Sequence, residues 1–98
     1  MKEQEIKEKL KNGKVLIDFY ADWCSPCKMM KPILNQFQNE QDEISVVKIN
    51  VDEFSEMANV YGIRSIPTLI YMEDGEVINR AAGGKPIDEL YRFTGLTD

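Results

Sequence analysis

Ala21-Asp22-Trp23-Cys24-Ser25-Pro26-Cys27-Lys28 holds both cysteines, the only tryptophan and one of the four prolines of a 98-residue chain. An apolar run from Val15 to Tyr20 ends just before it. Apolar residues at helical spacing, Met29, Met30, Ile33, Leu34 and Phe37, follow just after. This places two sulfurs at a strand-to-helix junction. Pro26 suits the first helical turn, where its missing N–H removes no bond, and Pro32 inside the pattern predicts a kink.

Working outward, Ile6 and Leu10 give residues 2–11 the narrow apolar stripe of a short amphipathic helix, stopped by Asn12-Gly13. Val15 to Tyr20 reads as a buried strand, apolar on both faces except at Asp18. Ile44 to Asn50 is a second strand, with Lys48 as its one charge. A strand, a crossover helix and another strand predict parallel pairing. Asp52 is placed to cap a short helix carrying Phe54, Met57 and Tyr61 and ending at Gly62. Thr68 to Met72 is a third strand, and Asp74-Gly75 a hairpin turn into a fourth at about Glu76 to Ala81. Gly83-Gly84 breaks that strand. Pro86 opens a last helix with Ile87, Leu90 and Phe93 on one face. The reading is one α/β domain over residues 1–98.

A hydrophobic content of 43% against 30% charged residues is a globular balance. The net charge is −5, and no run of lysine or arginine offers the clustered cations that phosphate binding needs, which argues against nucleic acid. No apolar stretch approaches the ~20 residues of a membrane span, and the N-terminus lacks the basic start and apolar core of a signal peptide. The expectation is therefore a cytoplasmic chain, with no membrane partner. In a reducing compartment a cysteine pair is more often catalytic or metal-binding than a structural bridge.

Three readings of the pair stand side by side. Incidental core cysteines are one. A zinc site is another, but zinc takes about four ligands, and the chain has no histidine and no further cysteine, so two chains would have to share the metal. Redox chemistry is the third. Residues i and i+3 of a helix lie roughly 5–6 Å apart, within disulfide reach, and so small a loop is stabilised only weakly by closure. At a helix N-terminus the dipole and free N–H groups favour a thiolate at Cys24, with Cys27 one turn deeper and more shielded.

Trp23-Cys24-Ser25-Pro26-Cys27-Lys28 after Val15 to Ala21 closely resembles the active-site region of the thioredoxin family. Tyr61-Gly62-Ile63-Arg64-Ser65-Ile66-Pro67-Thr68 resembles its second signature, and Asp74-Gly75 and Gly83 recur at the family's spacing. The resemblance spans roughly residues 14–93. It implies the thioredoxin fold, a central mixed four-stranded sheet flanked by helices. The family's usual first strand has no counterpart here, so one normally inner edge is expected to be open or protected by charge.

What the resemblance implies for function is a thiol–disulfide oxidoreductase acting on protein disulfides. Cys24 is then the nucleophile and Cys27 the resolving thiol. Asp18 is the buried acid that relays a proton for Cys27, and Lys48 offsets its burial. Ile66-Pro67 is expected cis, and Trp23, Ile66, Pro67, Gly83 and Gly84 rim a shallow apolar substrate groove. Ser25 and Pro26, between the cysteines, tune the redox potential. Ser25 stands where the family commonly has glycine and could donate a hydrogen bond toward Cys24. No metal and no bound cofactor are implied. The Cys24–Cys27 disulfide is regenerated by a flavin- and NADPH-dependent reductase of the thioredoxin-reductase type, and the default state is a monomer. The alternatives are a client-specific oxidant or isomerase, and a non-catalytic module that uses the groove for docking.

Overall fold

A computed structural model describes residues 2–96. The chain runs α1 (Glu3–Leu10), β1 (Lys14–Tyr20), α2 (Ser25–Glu40), β2 (Ile44–Asn50), α3 (Ser55–Val60), β3 (Thr68–Glu73), β4 (Glu76–Ala82) and α4 (Ile87–Phe93). The sheet order is β2-β1-β3-β4. β1 and β2 are parallel, as the crossover through α2 requires, and β3 and β4 join antiparallel.

Side-chain alternation on the strands divides the interior in two. Val15, Ile17 and Phe19 of β1 pack with Val47 and Ile49 of β2 against Ile6 and Leu10 of α1 and Met57 of α3. Leu16 of β1, Ile44 of β2 and Leu69 and Tyr71 of β3 face the other way. They meet Met30, Leu34 and Phe37 of α2 and Leu90 and Phe93 of α4. Both faces of β1 are thus covered, which is why its sequence is almost continuously apolar. Asp18 and Tyr20 share the parity of Leu16 and so point to the α2 side. Register adds the partners, with Asp18 opposite Lys48 and Tyr20 opposite Asn50.

Three local features differ from, or add to, the sequence expectations. α2 continues from Ser25 to Glu40 with Pro32 inside it, the apolar stripe holding the helix to the sheet despite the missing N–H. Asp52 does not cap α3. The N-cap is Phe54, with no side-chain hydrogen bond, because the Asp52 carboxylate is bound elsewhere. The turn into α3 is instead organised by Asn50, whose Oδ1 accepts from the N–H groups of Asp52 and Glu53 at 2.9 and 3.3 Å. The hairpin forms as the Asp74-Gly75 dipeptide predicts, both residues at positive φ, 49° and 85°. Asp74 also ties it to the α1–β1 turn, Oδ1 accepting from the Gly13 N–H at 2.8 Å.

Candidate active site

Cys24 is the N-cap of α2, in extended conformation, and its sulfur takes the part usually played by a serine or aspartate oxygen. The Cys27 N–H donates to Cys24 Sγ across 3.2 Å. Ser25 and Pro26 fill the first two helical positions, so the cap places Cys27 one turn into the helix. The two cysteines form a disulfide with a Cα–Cα separation of 5.2 Å. Sequence reasoning expected Cys27 to be the more shielded sulfur. In the disulfide form the two residues are buried alike, at 5% and 4% exposure, because Ala21, Tyr20, Val51 and Ile66 pack around both. The Ser25 hydroxyl, nominated as a donor to Cys24, makes no such bond among the described residues; the Cys27 N–H is the donor.

Beneath the disulfide a pocket of about 80 Å³ opens between α2 and the ends of β1 and β2. Asp18, Tyr20, Asp22, Cys27, Lys31 and Lys48 line it. Asp18 is buried at 3% exposure, and its Oδ1 has no hydrogen-bond partner. Burial pushes its pKa up to about 6, and the Lys48 ammonium pulls in the other direction without outweighing it. Among the described residues no direct ion pair joins Asp18 to Lys48, so the lysine acts at a distance across the strand pair. Asp18 therefore neither points to solvent at a strand edge nor sits in a structural salt bridge.

Beside the disulfide, the Ile66-Pro67 peptide is cis, and the Ile66 carbonyl oxygen lies 3.8 Å from Cys24 Sγ. Trp23, 69% exposed, stands on the surface rather than in the core. Its ring borders a shallow groove of about 200 Å³ with Val51, Ile63, Arg64, Ser65 and Ile66. The two glycines lie outside that groove. The Gly83 N–H donates to the Pro67 carbonyl at 2.7 Å. Gly84 passes over Met30, so close that a Cβ would stand 2.9 Å from its sulfur. The structure thus gathers Cys27, Asp18 and Lys48 around one pocket, and Trp23 and Ile66 around the next, with Cys24 beside the Ile66 carbonyl. Gly83 supports Pro67 from behind.

Three contributors were missed in the sequence. Asp52 accepts the indole N–H of Trp23 at 2.9 Å. The Arg80 guanidinium donates to the carbonyls of Tyr61 and Gly62, at the start of the segment that leads to Pro67. Tyr20 lines the Asp18 pocket. Only Tyr20 had a legible signal, its same-face spacing from Asp18; the other two depend on long-range contacts.

The geometry coincides with the comparisons to known proteins. The family model described as thioredoxin matches residues 1–95. The chain belongs to the thioredoxin family. It is 45% identical over 89 residues to the thioredoxin of Bacillus subtilis strain 168, covering 90% of this chain and 86% of that one. It is equally identical over 89 residues to the thioredoxin of Listeria monocytogenes, with 82% of that protein covered. Among solved structures, a thioredoxin variant from Halobacterium salinarum NRC-1 aligns with a TM-score of 0.84 at 37% identity, covering 100% of this chain and 90% of that one. Oxidised mitochondrial thioredoxin 3 from Saccharomyces cerevisiae aligns at 0.85 with 33% identity, covering 94% and 88%. As a thioredoxin, this chain is a thiol–disulfide oxidoreductase of the protein-disulfide-reductase type, and Cys24–Cys27 is its redox-active disulfide. No helix among the described residues is long and apolar enough to cross a membrane.

Proposed function

We propose that the reduced chain, acting as one domain and as a monomer, attacks protein disulfides through Cys24 and releases the product through Cys27. The Cys24 thiolate bonds to one substrate sulfur, and the other substrate sulfur leaves and takes up a proton. Cys27 then gives its proton to Asp18 and attacks Cys24, which frees the second substrate thiol and leaves Cys24–Cys27 oxidised. Two electrons pass to the substrate, and a thioredoxin-reductase-type flavoprotein using NADPH returns them. Neither flavin nor nicotinamide needs a site on this chain.

The observation that carries the assignment is the different surroundings of the two sulfurs. Cys24 Sγ receives an N–H at the positive end of a 16-residue helix, which favours its thiolate. Cys27 lines the pocket that holds Asp18, a carboxyl whose raised pKa suits proton exchange near neutral pH. Trp23 and Ile66 supply the apolar wall against which an extended substrate lies, and Pro67, Gly83 and Gly84 back it. Ser25 and Pro26 set the potential through the helix start. The cytoplasm, with its reductant supply, is the compartment in which such a dithiol works as a reductant.

The test is capture. Cys27→Ser should accumulate mixed disulfides with client proteins through Cys24, resolved by mass spectrometry. Cys24→Ser should accumulate none. Equal trapping by both variants would refute the division of labour.

A further inference from the structure

Asp18 exchanges protons only through the pocket beneath the disulfide, since the rest of its side chain is enclosed. The charged groups that face this pocket are Asp18 from β1, Lys48 from β2, Lys28 and Lys31 from α2, and Asp22 from the segment between β1 and α2. Glu53, from the turn after β2, adds its charge near Tyr20. Tyr20 is the one neutral hydroxyl lining the pocket, and a hydroxyl both accepts and donates a proton. Two residues beyond Asp18 on the same strand, it projects from the same face, toward the solvent end.

Asn50 stands opposite Tyr20 in the strand register, and its side-chain amide works against the rise that burial gives the phenol's pKa. The same amide group donates to Asp22 Oδ2 at 3.4 Å. Burial raises the pKa of the phenol, and the Asp22 carboxylate raises it further. The phenol therefore stays protonated at neutral pH.

We infer that the Tyr20 hydroxyl, lining the same pocket as Asp18, is the outer station of the proton path between Asp18 and solvent. The inference rests on the Asp18 relay proposed above. The pocket has room for water, about 80 Å³ against the ~10–15 Å³ that one water needs. A proton released by the Asp18 carboxyl passes through such a water to the Tyr20 oxygen as the phenolic proton leaves toward Asp22 and solvent. Tyr20 ends with the proton count it began with, and no electrons move. Tyr20 is thus a positioning residue for proton transfer and does not touch the substrate.

The experiment measures turnover of a disulfide-bonded protein substrate across pH in dilute buffer, then with rising concentrations of a small proton carrier such as imidazole. Tyr20→Phe should turn over roughly 10-fold more slowly in dilute buffer, less than for loss of a direct acid or base because pocket water takes over part of the transfer. Added imidazole should restore the rate. Tyr20→Trp, which keeps the bulk without the hydroxyl, should behave alike and serves if the phenylalanine variant does not fold. A wild-type rate in dilute buffer, or a loss that imidazole does not repair, overturns the inference. Asp18→Asn run in parallel separates the two levels. An unchanged pH–rate profile there defeats the Asp18 relay and this inference with it. A slowed Asp18→Asn beside an unslowed Tyr20→Phe defeats this inference alone.

Discussion

The indole of Trp23 is fastened to the Asp52 carboxylate by one hydrogen bond of 2.9 Å, although 29 positions separate the two residues. An exposed ring beside a nucleophile would otherwise sample several rotamers, and the bond holds it as one wall of the groove. Removing it with Asp52→Ala should cost about 1 kcal/mol of stability, the usual worth of such a bond at the surface. The chain has a single tryptophan, so its fluorescence reports this ring alone. Asp52→Ala should lower the fluorescence anisotropy and raise KM for a protein substrate several-fold while kcat holds. Unchanged anisotropy and KM would show that the bond does not position the ring.

The buried Asp18 carboxyl makes stability depend on pH in a direction opposite to that of a salt-bridged acid. Its folded pKa of about 6 lies above the ordinary 3.8 because burial disfavours the charge. Below both values the group is neutral folded or unfolded and costs nothing. Between them the unfolded chain ionises first, so stability falls as pH rises, and the penalty is complete above about 6. A shift of this size corresponds to about 3 kcal/mol. Asp18→Asn should therefore be more stable than wild type at pH 7 by up to that amount, and the advantage should shrink toward zero as the pH approaches 4. Urea denaturation at several pH values checks it; a gap independent of pH would rule out ionisation as the source.

Gly83 and Gly84 should respond to alanine for different reasons. At Gly83, φ is +89° with open space around it, so alanine brings only backbone strain, about 1 kcal/mol. Gly84 needs no positive φ, but a Cβ there meets Met30 Sδ at 2.9 Å and Cγ at 3.2 Å. Met30 is buried at 2% exposure, and its sulfur accepts the Lys85 N–H at 3.4 Å, so it cannot swing away freely. Gly84→Ala should cost about 1–2 kcal/mol. Combining it with Met30→Ala should be less damaging than the sum of the single changes, whereas Gly83→Ala with Met30→Ala should be additive. Denaturation of the five variants decides the matter, and additivity in both pairs would contradict the contact.

Arg80 bonds two successive carbonyls, Tyr61 and Gly62, with one planar guanidinium. Lysine has the charge without the fork. Arg80→Ala should lower stability by about 1 kcal/mol and raise KM for protein substrates by loosening the segment that carries Ile66, and Arg80→Lys should recover less than half of either effect. Full rescue by lysine would mean that charge alone matters.

Much of this was legible in the residues. The alternation and helical spacing around Val15 to Phe37 placed β1, α2 and the cysteines, because each pattern reflects burial against a neighbour a few residues away. Ile44 to Asn50 and Asp74-Gly75 were equally readable, for the same local reason. The assignment of Asp52 failed because its carboxylate had two possible partners, the α3 backbone and the Trp23 indole, and only the folded chain brings the second within reach. The cover that Ile66 gives the Cys24–Cys27 pair was equally hidden, since Ile66 arrives from another element. Arg80 could not be read at all, since its two acceptors are backbone carbonyls nearly twenty positions away.

The alternation of β1 has an engineering consequence. Odd-numbered positions, Val15, Ile17 and Phe19, look toward α1 and α3, while Asp18 and Tyr20 look toward the sulfurs. A single strand therefore carries two sets of instructions interleaved letter by letter. Drift or redesign at the odd positions can retune thermal endurance without rewriting the redox chemistry, and variation at Asp18 or Tyr20 can retune the chemistry while Leu16, on the same face, stays packed against α2 and α4.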